Sequence, residues 1–120
     1  MPHILVAHTS IGARTLMKIT FERKRYPTDI VSTPKEALAA ASHTPPDLAI
    51  LDLAYESVSG FELATELRAL YSGLPIMILA LQALSEEQLA QAERMGILIY
   101  QNTPVGHNFN IDLSRLLKLP

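Results

Sequence analysis

The sequence contains no cysteine among its 120 residues. This absence excludes a disulfide framework, a cysteine nucleophile and a zinc site built from thiolates. No apolar run approaches the roughly 18 residues of a membrane-spanning helix, and the first residues lack the charged and apolar regions of a signal peptide. We therefore expect a soluble, cytoplasmic protein without a membrane partner.

The sequence has little net charge, because 10 Lys and Arg residues face 12 Asp and Glu residues, which gives −2 with neutral histidine. A value this close to zero argues against a general binder of nucleic acids or anionic membranes. The dense basic run at residues 23–25 is interpreted as the cationic end of a helix that faces water. We therefore expect no nucleic-acid partner.

Length and composition favour a folded domain with a substantial core. Hydrophobic residues make up 48% of the sequence, and 120 residues suffice for one domain but not for two. No linker, repeat or low-complexity stretch interrupts the chain. The sequence therefore predicts a single domain over residues 1–120.

Strand-like and helix-like segments alternate along the chain. Short apolar runs rich in β-forming residues predict five strands, at residues 3–7, 28–32, 47–52, 75–80 and 97–100. Capping residues and apolar periodicity predict a helix after each strand, at residues 11–24, 34–42, 61–70, 85–95 and 110–117. Five strand–helix units with short connections predict an α/β fold with a parallel sheet, right-handed crossovers and helices on both faces.

Asp52 is the polar residue that stands out in this pattern. It ends the apolar strand at residues 47–52, so its carboxylate is expected at the C-terminal edge of the sheet. In open α/β folds that edge is where ligands and chemistry are found. Asp52 is therefore a candidate for accepting a phosphoryl group or for binding a metal ion.

Five segments together resemble the receiver domain of two-component response regulators, the CheY-like family. They are residues 4–9 (ILVAHT), 47–53 (DLAILDL), 60–63 (GFEL), 74–80 (LPIMILA) and 96–104 (GILIYQNTP). The resemblance covers essentially the whole chain in the family's order and spacing. It implies a flavodoxin-like (βα)5 doubly wound sandwich with a five-stranded parallel sheet of order 2-1-3-4-5. It also places Asp52 at the aspartate that accepts a phosphoryl group from a histidine kinase.

The positions that would support Asp52 depart from the family's pattern. An acidic pair after the first strand, which helps to hold Mg²⁺, corresponds here to His8 and Thr9. A lysine after the fifth strand corresponds to Thr103, and a Thr or Ser that ends the fourth strand corresponds to Ala80. Because the family's groups neutralise and bind the phosphoryl oxygens, the resemblance implies a degenerate form, a pseudo-receiver. We expect no catalytic residue, no cofactor, no metal site and weak or absent Mg²⁺ binding.

Three interpretations of the pocket follow from these residues. The first and third strands are neighbours in the implied sheet, so His8 and Asp52 form a polar pair in which a protonated imidazole offsets the carboxylate. Alternatively, Asp52 is a solvated or backbone-bonded remnant of the ancestral site. A third alternative has His8, Asp52 and Glu56 binding a softer divalent ion such as Zn²⁺.

Two further positions carry expectations from the resemblance. Tyr100 matches an aromatic residue that moves between buried and exposed positions in the family. Because Ala80 has no hydroxyl to couple it to the site, we expect Tyr100 to keep a fixed rotamer. The Thr103–Pro104 bond matches a cis bond in the family, so Pro104 is predicted to be a cis-proline.

The leading prediction is a pseudo-receiver signalling domain of the two-component phosphorelay family that works by protein–protein contact and is not an enzyme. By family analogy the contact surface is the fourth helix, fifth strand and fifth helix, about residues 85–118, and the partner is a signalling protein or a second copy of the chain. The first alternative is an atypical but functional phospho-acceptor receiver, phosphorylated on Asp52. The weakest is a small-ligand-binding flavodoxin-like domain, because residues 9–12 (TSIG) contain one glycine and form no Gly-rich phosphate loop.

Overall fold

The computed structural model of the chain describes residues 1–101, 103–104 and 106–118. Over these residues five strands and five helices alternate: β1 (Ile4–Ala7), α1 (Ile11–Lys24), β2 (Thr28–Val31), α2 (Pro34–His43), β3 (Leu48–Leu51), α3 (Gly60–Leu70), β4 (Ile76–Leu79), α4 (Glu86–Met95), β5 (Leu98–Tyr100) and α5 (His107–Leu117). None of the helices in these ranges combines the length and the apolar character needed to cross a membrane.

The strands form one parallel sheet in the order β2-β1-β3-β4-β5. Every residue of β1, β3 and β4 is buried, which explains why these strands are continuous apolar runs rather than alternating ones. β2 lies at the edge, where its residues are half-buried and include Thr28 and Asp29. The predicted flavodoxin-like architecture and its strand order are therefore confirmed.

The core consists of two apolar clusters, one on each face of the sheet. Helices α2, α3 and α4 cover one face, with Phe61 and Leu67 among the buried side chains. Helices α1 and α5 cover the other, with Phe21 and Phe109 fully buried. Full burial of one such side chain contributes about 1.5–3 kcal/mol. The sheet is therefore packed on both faces, which leaves its carboxyl edge as the place where polar side chains gather.

Capping residues define where the helices begin. At α2, the Glu36 backbone N–H donates to the Thr33 hydroxyl at 3.2 Å, and the Thr33 backbone N–H donates to the Glu36 carboxylate at 3.2 Å. The hydrogen bond from the Thr33 side chain lowers the pKa of the exposed Glu36 carboxyl. Ser59 and Ser85 form the same capping box at α3 and α4. These signals were visible in the sequence, and the first four helices begin within a residue of their predicted starts.

Helix α5 differs from the prediction, because it begins at His107 rather than at residue 110. Its first residue follows Gly106, whose side chain offers no capping group. The earlier start places Phe109 inside the core, where its ring packs edge-to-face on Tyr100 with centroids 5.1 Å apart. Tertiary packing therefore sets this boundary, and no local capping signal marked it in the sequence.

Gly60 brings the start of α3 directly against the end of β3. A Cβ at this position would lie 2.1 Å from the backbone oxygen of Asp52, a distance that non-bonded atoms do not adopt. The Gly60 N–H also donates to the Leu53 carbonyl at 2.8 Å. Glycine at position 60 therefore fixes the path of the chain on either side of Asp52.

Candidate functional site at the carboxyl edge of the sheet

Neighbouring strands end at the same edge of the sheet and bring three of the predicted site residues together. His8 and Thr9 follow β1, and Asp52 follows the adjacent strand β3. A cavity of about 270 Å³ opens beside them, lined by residues 8–10, 52–54 and 81–82. Its lining therefore comes from the loops that follow β1, β3 and β4.

The carboxylate of Asp52 is hydrogen-bonded through both of its oxygens. Oδ2 accepts from the backbone N–H of Thr9 at 3.1 Å and from the Thr9 hydroxyl. Oδ1 accepts from the backbone N–H of Leu53 at 2.7 Å. The side chain is only 14% exposed. Three donors therefore satisfy the negative charge locally and hold the carboxylate in one orientation.

His8 is the buried polar residue of the site, with 1% of its surface exposed. Its Nδ1 lies 3.4 Å from Asp52 Oδ2, so the predicted pair is adjacent. However, the Ser10 N–H donates to that same Nδ1 at 3.1 Å, and Nε2 lies 2.8 Å from the Leu79 carbonyl oxygen. The tautomer that satisfies both bonds accepts the Ser10 N–H at Nδ1 and donates a proton from Nε2 to the Leu79 carbonyl.

The structure places the predicted pair of His8 and Asp52 side by side, with Nδ1 and Oδ2 3.4 Å apart. The sequence interpretation assigned a protonated imidazole that offsets the charge of Asp52, whereas the hydrogen bonds describe a neutral ring. The difference is local, because the Ser10 N–H donates to the nitrogen, Nδ1, that a protonated ring would turn towards Asp52. Thr9, which the sequence marked only as a lost carboxylate, donates twice to Asp52 instead.

Tyr55 closes the site from the loop between β3 and α3. Its hydroxyl accepts from the Asp52 N–H at 2.9 Å and donates to the Ala7 carbonyl, so it bridges the ends of β1 and β3. Burial, with a smaller contribution from the nearby Asp52 charge, raises the pKa of Tyr55 far above its usual range. Nothing in the sequence indicated that Tyr55 bonds to both strands.

Arg14 is a second residue whose role the sequence did not indicate. One guanidinium nitrogen, Nη1, donates to the backbone carbonyls of His8 at 2.7 Å and Thr9 at 3.1 Å. The side chain thus reaches back from the first turns of α1 and fixes the connection after β1. Its spacing of five and six residues from these carbonyls is not a recognised motif, so only the folded chain reveals the contact.

The remaining predicted positions lie around the site without forming part of its hydrogen-bonded centre. Ala80 is buried, and its N–H donates to the Tyr100 carbonyl at 2.9 Å. The Tyr100 ring is turned inward and is 7% exposed. Thr103 is exposed and contributes no atom to the lining of the cavity.

The prediction of a cis bond before Pro104 is wrong. Among the described residues, which include Thr103 and Pro104, no peptide bond is cis. The trans form of an X-Pro bond is intrinsically favoured by about 0.5–1 kcal/mol. The residue that precedes the proline here is threonine instead of the family's lysine, and the bond takes its intrinsically preferred form.

The alternative of a three-ligand zinc site does not match the arrangement of the side chains. Glu56 is exposed and lines a different cavity, together with Tyr55 and Thr33. Within the part of the chain that the structure describes, no three His, Asp or Glu side chains are grouped so that they could hold a metal ion. His8 and Asp52 are therefore not completed by a third ligand.

Comparison with known proteins agrees with this fold. The family model described as the response regulator receiver domain matches residues 4–104. No curated protein matches the sequence.

Several solved structures are similar over nearly the full length of both chains. The non-phosphorylated HemR receiver domain from Leptospira biflexa has 27% identity and a TM-score of 0.83, with 100% of this chain and 97% of that chain covered. The chemotaxis protein CheY4 from Vibrio cholerae has 24% identity and a TM-score of 0.83, with 97% and 98% covered. The response regulator TrrA from Thermotoga maritima, solved in complex with Mg(2+)-BeF, has 23% identity and a TM-score of 0.82, with 97% and 99% covered.

Proposed function

This chain belongs to the response regulator receiver domain family, and we propose that within it the chain is a pseudo-receiver. Receiver domains are signalling domains of two-component systems that interact with signalling partners. In our proposal this one keeps the fold, does not undergo normal Mg²⁺-dependent phosphorylation, and acts through protein–protein contact.

The observation that carries the proposal is the internal bonding of Asp52. A carboxylate that attacks phosphorus must present a free oxygen to an anionic group, and most of the catalysis comes from cations that neutralise that group. Here the two oxygens accept three hydrogen bonds from Thr9 and Leu53. The neutral imidazole of His8 turns an unprotonated nitrogen towards Asp52, and the threonine at position 103 brings no charge.

The donor set at the site does not suit Mg²⁺. This ion prefers an octahedron of oxygen ligands and gives up its water reluctantly, so it needs anionic ligands. Asp52 supplies one carboxylate, while the Thr9 hydroxyl is used as a donor to that carboxylate. The ring nitrogen of His8 is already an acceptor for Ser10. We therefore propose that the domain works without this metal.

The proposed contact surface comprises α4, β5 and α5, about residues 85–118. Leu89 and Ile111 are large apolar side chains on this surface and are 45% and 40% exposed. The first turn of α4 carries Glu86 and Glu87, and Glu93 follows in its last turns. Arg94 and Arg115 lie in the last turns of α4 and α5, so the charges of this surface nearly balance. Exposed apolar groups on a surface with little net charge fit a signalling protein, or a second copy of the chain, better than they fit a nucleic acid.

The test is incubation of the protein with a small phosphodonor, such as acetyl phosphate, and Mg²⁺, followed by intact-mass measurement. We expect no added phosphoryl mass on the wild type and none on Asp52→Asn. Added mass on the wild type that is absent from Asp52→Asn would overturn the proposal.

Phosphoryl mass on the wild type but not on Asp52→Asn would support the second candidate, an atypical phospho-acceptor. One observation favours it: the Asp52 side chain retains 14% exposure beside an open cavity. TrrA, which shares this fold, was solved in complex with Mg(2+)-BeF. Phosphorylation here would require Thr9 to release Oδ2 first, so labelling would be slow and would accelerate in Thr9→Ala.

A further inference from the structure

A hydrogen bond from His8 joins two strands that are not neighbours. In the sheet order β2-β1-β3-β4-β5, strand β3 separates β1 from β4. The imidazole of His8, which follows β1, passes the end of β3 and donates from Nε2 to the carbonyl of Leu79, the last residue of β4, at 2.8 Å. The ring is almost completely buried, so water does not compete for this bond.

The acceptor belongs to a peptide unit that is held at both ends. The carbonyl of Leu79 and the N–H of Ala80 form one planar group. The carbonyl accepts from His8, and the N–H donates to the Tyr100 carbonyl of β5 at 2.9 Å. A continuous line of hydrogen bonds thus runs across the carboxyl edge from β1 to β5, directly below the connection between β4 and α4.

The other side of the imidazole is fixed from α1. The Ser10 N–H donates to Nδ1 at 3.1 Å, and Arg14 donates to the backbone carbonyl of His8 at 2.7 Å. The Asp52 carboxylate, which follows β3, lies 3.4 Å from the same nitrogen and adds no hydrogen bond to it in this tautomer. The ring therefore has one available orientation, with its N–H directed at Leu79.

We propose that His8 is a lock on the end of β4: its Nε2–H holds the Leu79–Ala80 peptide unit, and the β4–α4 connection stays in one position. This inference concerns the backbone at the end of β4, and it stands whether or not Asp52 ever accepts a phosphoryl group. The contact uses only groups present in the unmodified chain, so it does not depend on phosphorylation.

Two substitutions of His8 separate the hydrogen bond at Nδ1 from the hydrogen bond at Nε2. In His8→Asn the side-chain oxygen lies near the position of Nδ1 and can accept from the Ser10 N–H, as in an Asx-turn. The asparagine side chain is too short to reach the Leu79 carbonyl, so that bond is lost. In His8→Gln the amide nitrogen sits near the place of Nε2 and donates to Leu79, while the acceptor for Ser10 is lost.

The measurement is site-resolved amide hydrogen exchange, with the amides of Ala80 and Ser10 as the two reporters. The Ala49 amide, bonded to the Pro75 carbonyl at the opposite end of the sheet, serves as the reference for global opening. In His8→Asn we expect exchange at Ala80 to accelerate by roughly three- to tenfold relative to Ala49, the range for losing one buried hydrogen bond. Exchange at Ser10 should remain within about twofold of the wild type.

In His8→Gln the pattern should reverse, with Ala80 protected and Ser10 faster. His43→Asn and His43→Gln, at an exposed histidine in the last turn of α2, should change neither reporter. The lock is refuted if Ala80 exchanges alike in His8→Asn and the wild type. It is equally refuted if both variants accelerate both reporters by the same factor, because His8 would then act only by filling space.

Discussion

At the scale of single residues, the structure shows how the residues around Asp52 bond to its carboxylate. Sequence comparison identified Asp52 and the four altered positions around it, because each follows the end of a recognisable strand. The sequence alone could not identify the hydrogen-bond partners of Asp52 and His8. The state of His8 depends on the Ser10 amide beside it and on the Leu79 carbonyl, 71 residues away in the chain.

We expect the imidazole of His8 to be the Nε2–H tautomer. The reason is that the Ser10 N–H occupies Nδ1 while the Leu79 carbonyl requires a donor. ¹⁵N NMR of the histidine side chains distinguishes the two ring nitrogens by their shifts, and His43, which is exposed, gives the comparison within the same sample. A proton on Nδ1 of His8 would contradict the assignment.

Tyr55→Phe should lower the free energy of unfolding by about 1 kcal/mol, because it removes the hydroxyl that joins Asp52 and Ala7 and leaves a buried carbonyl with one donor fewer. Urea unfolding near neutral pH measures the difference. Tyr26→Phe, at a half-buried tyrosine that stacks on Phe21 away from the site, is the control and should cost less.

The advantage of the wild type over Tyr55→Phe should shrink at alkaline pH. Burial raises the pKa of Tyr55 in the folded protein. A raised folded-state pKa gives stability that is complete below the unfolded value of about 10 and is lost as pH rises above it. The difference in unfolding free energy should therefore be level between about pH 7 and 9 and fall above about pH 10. A difference that grows with pH would show that the Tyr55 hydroxyl is not buried in this way.

At the scale of helices and strands, local signals located most elements well. Thr33, Ser59 and Ser85 act as N-caps where the sequence placed helix starts or within a residue or two of them, and the apolar runs became the buried strands. The failures occur where packing overrides local sequence. Helix α5 starts early because Phe109 enters the core, and no capping side chain marks that start.

Two glycines within helices make a matched pair for testing how tightly α3 is held against the site. Gly60→Ala should destabilise the protein by about 1–3 kcal/mol, because its Cβ would meet the Asp52 backbone at 2.1 Å. Gly12→Ala in α1 adds the same atom at 3.7 Å from Ser10 Oγ, an ordinary contact, and should be neutral or stabilising by up to about 1 kcal/mol. Thermal or urea unfolding of both variants gives the comparison, and equal effects would mean that α3 can shift away from Asp52.

At the scale of the whole molecule, the parallel sheet explains why residues from distant parts of the chain meet at one site. Its order brings the ends of β1, β3 and β4 to one edge, so that substitutions far apart in sequence act on a single site. Sheet order could be predicted because short strand–helix units and the family resemblance allow few arrangements. The hydrogen bonds at that edge could not be predicted, since most of them use backbone donors and acceptors that every sequence has.

The central claim is that the neighbours of Asp52, rather than the aspartate itself, prevent phosphorylation. Its most direct test is the intact mass of the wild type after exposure to acetyl phosphate and Mg²⁺, beside a variant that carries the family's residues at the altered positions, His8→Asp, Thr9→Asp, Ala80→Thr and Thr103→Lys. We expect phosphoryl mass on this variant, none on the wild type, and none when Asp52→Asn is added to the variant. A wild type labelled as fully as the variant would contradict the claim.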